Sequence, residues 1–414
     1  MEFSPKSFPG HAGVDRLKIL VLSFLRLGDF FQQAHLLRAM TDDEIHVSGF
    51  DELAPAVPLF PEWRFHLYPR RQFHLQDQRR PWYRGAYLLE QLIESLDRES
   101  FHKIYNFTHT RFSARLMDCL RGGEKVGVQF AEGRAAGWTP ALREFNDQWI
   151  ETSFPRLSYI DFLAEALSLP SPPLVEARPL AGTPPQTGAQ PHLQRPVWLQ
   201  PLTSDDKKNW HLSSWRELCQ RLDGLIVGAP AESDILRRHF PDCKIAALSL
   251  LEMKRQAEDC RLLISGDTSV LHFAVLFGIP TLGLFLGPAN PRKTAPRQRG
   301  AHVLWPQAPC SPCFHSGTCH QARHHCAERL RADQVFSVAE SIIHGKNPSP
   351  TKEFTLIRIE ENHLHQIQTI ETHVAGSVGG KAATGVPPPT LGGRHDHGDR
   401  SLSLASFEEA RESL

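Results

Sequence analysis

The chain has 414 residues, more than one hydrophobic core usually fills, so two domains and a tail are expected, and a hydrophobic share of 41% is enough to build them. Lysine plus arginine and aspartate plus glutamate both number 46, which leaves no net field to recruit nucleic acid or an anionic membrane surface, so an anionic ligand must be held by local groups. Met1 to Asp15 lacks an apolar core, and no run of about eighteen apolar residues occurs, so a cytoplasmic chain is expected.

Lys18 to Ser23 reads as a strand, Phe30 to Met40 as a helix and Ile45 to Val47 as extended, a βαβ opening. The stretch Trp63 to Trp82 reads as a loop whose arginines face an anionic acceptor or solvent. Helical spacing returns over Tyr83 to Leu96 and Phe112 to Leu120, with extended segments at Lys103 to Phe107 and Lys125 to Val128. This alternation points to a parallel α/β sheet. Leu169 to Pro196 carries eight prolines, too many for an element interior, and reads as the interdomain linker.

A second α/β series follows, with strands at Val197 to Gln200, Leu225 to Val227, Lys244 to Ala246, Leu262 to Ser265 and Thr281 to Phe285. Ser249-x-x-Glu252 is a capping box, and the helix after Asp267 ends at Gly278 with Pro280 behind it. A last helix is expected over Asp333 to Ile343, then a peripheral hairpin within Glu353 to Thr372 and a disordered tail beyond Ala375. The expected organisation is two Rossmann-like parallel-sheet domains facing a cleft, residues 15–175 and 196–345, with a tail at 346–414.

In open α/β sheets ligands sit beyond the carboxyl ends of the strands, so the turns there hold the candidate sites. After the first strand come Leu27, Gly28 and Asp29, where Gly28 admits close backbone approach and Asp29 either caps amides or acts on a substrate. After Ser265 come Gly266, Asp267, Thr268 and Ser269, then a helix carrying His272 on its first turn. Such a helix start is a seat for phosphate, although any of these side chains could serve only as its cap, with His272 packing against the neighbouring domain. Neither a Walker loop nor a Gly-x-Gly-x-x-Gly turn is present.

Cys310-x-x-Cys313-x5-Cys319-x6-Cys326 gathers four thiols among His315, His320, His324 and His325. That density suits a structural zinc site closed by four thiolates, with an iron–sulfur cluster as second choice; reduced thiols or a redox disulfide are the alternatives.

From Leu17 to Ile343 the sequence resembles glycosyltransferase family 9, which includes the lipopolysaccharide heptosyltransferases. The resemblance rests on Gly28-Asp29, on Asn106 to Ala114 with Thr108 and His109, on Lys208-Asn209-Trp210, on Val227-Gly228 with Glu232, and above all on Gly266 to Ala274. Gly278-Ile279-Pro280-Thr281 and Leu284-Phe285-x-Gly287-Pro288 continue it in order, and the cysteine cluster is similar to one found in many members. Ser269 departs from the family's glycine, and the arginine before Gly28 is shifted to Arg26.

The resemblance implies a GT-B fold and an inverting glycosyltransferase that moves a sugar, such as heptose, from a nucleotide-diphosphate donor (ADP-heptose-like) to a lipopolysaccharide or other surface-glycan acceptor. It implies no cofactor for transfer and peripheral contact with the inner membrane through the acceptor. Asp29 would be the general base and Lys208 would neutralise the diphosphate. Glu232 would bind ribose, while Asp267, Thr268, Ser269 and His272 would line the donor side. Gly28, Thr108 and His109 would lie on the acceptor side. The alternatives are a non-catalytic nucleotide-sugar binder and a nucleotide-sugar epimerase of the same fold.

Overall fold

The run Lys18-Ile-Leu-Val-Leu-Ser23 is apolar on both faces, as a strand covered from both sides must be, and in the computed structural model it forms β1 (Lys18–Ser23), buried along all but its first residue. The structure describes residues 16–40, 42–70, 82–142, 158–179, 195–306, 308, 310–313, 319, 321–348, 353–360 and 368–369. The low-complexity stretch beyond Ala375 and the first fifteen residues lie outside them.

β1 leads through a short turn into α1 (Leu27–Arg38), then β2 (Glu44–Phe50), a 3-10 segment (Asp51–Leu59) and β3 (Arg64–Tyr68). α2 (Trp82–Asp97) buries Leu92 and Leu96 and half-buries Leu89 and Ile93, an apolar stripe at helical spacing, before β4 (Lys103–Asn106). α3 (Arg111–Cys119) and β5 (Glu124–Val126) complete a parallel sheet of order β3-β2-β1-β4-β5. Arg64 to Tyr68 is therefore an edge strand paired with β2, where the sequence suggested loop.

A small hairpin, β6 (Gln129–Ala131) and β7 (Arg134–Ala136), and α4 (Tyr159–Ala166) follow. Within the expected linker, β8 (Val175–Glu176) is an element after all.

The second sheet takes β9 (Val197–Gln200), α5 (Leu212–Leu222), β10 (Leu225–Gly228), α6 (Ser233–His239), β11 (Lys244–Ala247) and α7 (Leu250–Arg255). The Ser249–Glu252 capping box forms at the start of α7. Next come β12 (Leu262–Gly266), α8 (Ser269–Leu276), β13 (Thr281–Leu284), α9 (Pro291–Thr294), β14 (Gln298–Arg299) and β15 (His302–Pro306). α10 (His325–Glu328), α11 (Ala332–Ile343), β16 (Phe354–Arg358) and β17 (Gln368–Thr369) end the described chain.

The sheet order is β11-β10-β9-β12-β13-β15-β16-β17, parallel through β15 and antiparallel where β16 and β17 add the expected hairpin. β8 pairs with β14, and the buried Arg297 donates to Asp161 Oδ1 at 2.8 Å and to Ser171 Oγ at 2.8 Å, so the linker's first part is strapped onto the second half. Both sheets belong to one compact unit, Met1–Thr372. Among the described residues no helix is long and apolar enough to cross a membrane.

Candidate functional site

Each sheet changes direction once. The first sheet runs outward from β1 to β2 and from β1 to β4, the second from β9 to β10 and from β9 to β12, so each has a crevice at the carboxyl ends of those central pairs. The turns after β1 and β4 line one crevice, and those after β9 and β12 line the other.

In the second crevice Lys208, from a 3-10 turn after β9, donates to Asp267 Oδ2 at 2.7 Å, and both side chains are largely buried. His272 Nε2 lies 3.3 Å from Asp267 Oδ1. Burial would raise the Asp267 carboxyl, but Lys208 and His272 outweigh it and hold the group well below the usual carboxylate range. Asp267 is therefore an obligate anion, and Lys208 is no solvated surface lysine. The cap of α8 is Thr268, whose Oγ1 accepts the Leu271 N–H at 3.4 Å. Beneath it Gln200, the polar end of β9, accepts from Ser265 Oγ at 2.9 Å and Thr268 Oγ1 at 3.2 Å. The sequence reading missed Gln200; its one signal is a buried amide closing an apolar strand.

In the first crevice Asp29 occupies the first turn of α1 and accepts the Arg26 N–H at 3.3 Å, so its cap role is real. Burial raises its carboxyl above the usual range, against the lowering pull of His272, the Arg26 N–H and the Arg26 charge, with Asp267 pushing it further up. Tyr159 and Gln33, also missed from sequence, stand beside it: Gln33 Nε2 donates to the Tyr159 hydroxyl at 2.8 Å.

Thr108 Oγ1 accepts the Phe24 N–H at 2.8 Å and donates to Leu22 O at 3.0 Å, tying the ends of β1 and β4 together. His109 has a left-handed backbone with φ of 55°, packs edge-on against Phe162 at 5.5 Å and is pushed down to about 4 by burial. Both its ring nitrogens are buried without a partner among the described residues.

The crevices meet because α1 packs on α8. Phe31 and Phe273 contact edge to face at 5.8 Å, Arg38 Nη1 donates to Leu276 O at 2.7 Å, and Lys254 Nζ donates to Leu59 O at 2.9 Å. A Cβ on Gly28 would stand 3.4 Å from Ser269 Cα, 3.5 Å from Ser269 N and 3.8 Å from His272 Cδ2. Gly28, Asp29, Lys208, Asp267, Thr268, Ser269 and His272 thus share one seam.

Glu232 stays apart, in the turn after β10; its Oε2 accepts the Ala229 N–H at 2.7 Å, and burial raises its carboxyl.

The four clustered cysteines are free thiols. Burial pushes Cys313 and Cys326 up, and the other thiols of the cluster add to this. Among the described residues no three His, Cys, Asp or Glu side chains are arranged to hold a metal ion. The loop instead backs the lysine turn: Gly287 O accepts the Cys313 N–H at 3.2 Å, and a Cβ on Gly287, whose φ is 57°, would lie 2.3 Å from Lys207 O.

A buried, charge-paired lysine beside a helix start can take a diphosphate, and a carboxyl with a raised proton affinity across the seam can take a proton. Comparison with known proteins bears on that chemistry. The sequence model of glycosyltransferase family 9 (heptosyltransferase) matches residues 89–324. Lipopolysaccharide heptosyltransferase 1 of Pseudomonas aeruginosa is 34% identical over 117 residues, which span 26% of this chain and a third (33%) of that protein. Among solved structures, a glycosyl transferase family 9 protein from Veillonella parvula superposes with a TM-score of 0.53 at 15% identity, covering 80% of this chain and 99% of the other. The E. coli ADP-heptose lipopolysaccharide heptosyltransferase II does so with a TM-score of 0.53 at 16% identity, again over 80% and 99%. These two likenesses establish the fold: two Rossmann-like parallel-sheet halves about a cleft, as expected.

Proposed function

The chain belongs to glycosyltransferase family 9, and from that premise we propose that it is an inverting transferase acting on a nucleotide-diphosphate sugar of the ADP-heptose type, with a lipopolysaccharide or other surface glycan as acceptor. In this reading the reaction runs in the cytoplasm, with the protein peripheral to the inner membrane through its acceptor.

The observation that carries the reading is the meeting of the two crevices at Gly28 and Ser269, which sets a proton-accepting carboxyl opposite a cation beside a helix start. Asp29 takes the proton of the acceptor hydroxyl as that oxygen attacks the anomeric carbon. The bond from that carbon to the diphosphate breaks on the opposite face, and the electron pair leaves with the diphosphate. Lys208, held in place by Asp267, and the first amides of α8 neutralise the charge that departs. Glu232 keeps one carboxylate oxygen beyond its turn for a ribose hydroxyl. Gly28, Thr108 and His109 form the acceptor wall, Thr108 by fixing its shape.

The test is ADP release from ADP-heptose with heptose-free lipopolysaccharide as the acceptor probe. Acceptor-dependent release supports the reading. Donor conversion without acceptor favours an epimerase, and no thermal stabilisation by ADP, GDP or UDP removes the donor site altogether.

The four thiols remain our proposal for a structural zinc, which their side chains would have to rotate to ligate. Zinc would staple the loop behind Lys207 and enter no step of transfer. Metal analysis of the purified protein, with thermal melts before and after chelation, decides it.

A further inference from the structure

His272 touches both crevices. On one side its Nε2 reaches Asp267; on the other its Cδ2 edge faces Gly28, the residue before Asp29. The ring is buried at 5% exposure and lies on α8, the helix of the second half that packs against α1. Asp267 is in turn fixed by Lys208, so contacts run from Lys208 through Asp267 to His272, whose ring edge faces Gly28 and whose field reaches the neighbouring Asp29 carboxyl.

We propose that His272 is a positioning residue that couples the two halves: anchored by Asp267, it orients and electrostatically steadies the Asp29 carboxylate, so that the base is set only when the halves are closed on one another. This rests on the transferase reading given above. The acceptor's proton goes to Asp29 and the diphosphate leaves toward Lys208.

The groups facing Asp29 are Arg26 from its own turn, His272 from α8, Asp267 from the turn before α8 and Tyr159 from α4. His272 is the largest of the influences that favour the charged form. Its removal must therefore move Asp29 ionisation to higher pH. On the far side His272 is neighboured by His35 of α1, which burial pushes down to about 3.

Two readouts on the full chain separate the outcomes. Thermal stability is measured against pH for the wild type, Asp29→Asn, His272→Gln and the double variant. A carboxyl raised in the folded state makes the wild type lose stability relative to Asp29→Asn as pH climbs from the ordinary carboxylate range through the raised value. In the His272→Gln background that loss should finish about half a pH unit higher or more.

In steady state with ADP-heptose, His272→Gln should lower kcat on the order of tenfold to a hundredfold, as expected for a misplaced base, and carry the acidic limb upward. Thermal stabilisation by ADP should stay within about twofold in apparent affinity. An unmoved titration, or an ADP affinity that falls as far as kcat, overturns the proposal and makes His272 a packing residue or a donor ligand. If the wild type transfers no sugar, the transferase reading fails, while the pH–stability comparison still decides the coupling.

Discussion

Asp29 and Asp267 both lie just beyond the carboxyl end of a central parallel strand, Asp29 in the first turn of α1 after β1 and Asp267 in the turn between β12 and α8, yet their surroundings drive them in opposite directions. Both are desolvated. Asp267 gains a lysine at 2.7 Å and an imidazole at 3.3 Å and becomes a fixed anion, whereas Asp29 gains one backbone N–H at 3.3 Å and stays reluctant to ionise. Two carboxyls at strand ends thus supply two functions: a carboxylate that only holds other groups, and one that can exchange a proton. Where environments push two like groups apart in this way, the roles of acid–base partner and electrostatic anchor separate.

The largest effect should come from removing the exchangeable proton. Asp29→Asn is expected to cost roughly 10²- to 10⁴-fold in transfer, the usual worth of a positioned general base. ADP should still stabilise the protein, and at neutral pH the fold should be no weaker than wild type, since a desolvated charge is lost. A variant that keeps its rate would place the base elsewhere.

Asp267→Asn should act on the fold instead. Stranding Lys208 in a buried site costs about 3–5 kcal/mol by the measure of other broken buried pairs. The sign with pH follows from the depressed carboxyl: its stabilisation is present above the ordinary carboxylate range and fades as pH falls below it. Melting curves of wild type and variant should therefore converge in acid. Equal melting temperatures at pH 7 would mean that Lys208 and Asp267 are not paired in solution.

How much of this was legible in the chain differs between the same two regions. The parallel strands were readable because strands such as Lys18–Ser23 and Val197–Gln200 are near-continuous apolar runs, and residue type pointed to a cap among Asp267, Thr268 and Ser269, of which the structure uses Thr268. The edge strand Arg64–Tyr68 was not, since Phe65 and Leu67 alternate with polar residues over only five positions and all its side chains are half-buried or exposed. The site residues could be nominated one by one, but their pairing could not: Lys208 and Asp267 are 59 residues apart, and only the adjacency of β9 and β12 brings their turns together. The proton affinity of Asp29 depends on α8 packing over α1, which no local pattern encodes.

A smaller effect tests the floor of the donor crevice. Gln200→Leu would leave the Ser265 and Thr268 hydroxyls without their shared acceptor in a buried site, at a cost of about 1–3 kcal/mol. Denaturant titration measures it, and a loss of ADP affinity beyond that of stability would show that the amide also shapes the seat. An unchanged midpoint would mean that the two hydroxyls satisfy each other across their 2.9 Å contact.

The smallest expected change in stability is at the contact itself. Gly28 has no left-handed backbone to excuse it, and an added Cβ would meet Ser269 and His272 only at ordinary distances of 3.4 to 3.8 Å. Alanine at a helical position is intrinsically better than glycine by up to about 1 kcal/mol. Gly28→Ala should therefore fold as well as wild type or slightly better. If glycine is kept for the fold alone, activity should follow stability and rise. If it is kept because a substrate must pass between Gly28 and the Ser269 amide, the methyl group narrows that passage, and KM for the donor or acceptor should climb while the melting temperature does not fall. That split assigns the seam between the two aspartates to the substrate; its absence would leave Gly28 a passive contact and move the reacting atoms away from Ser269.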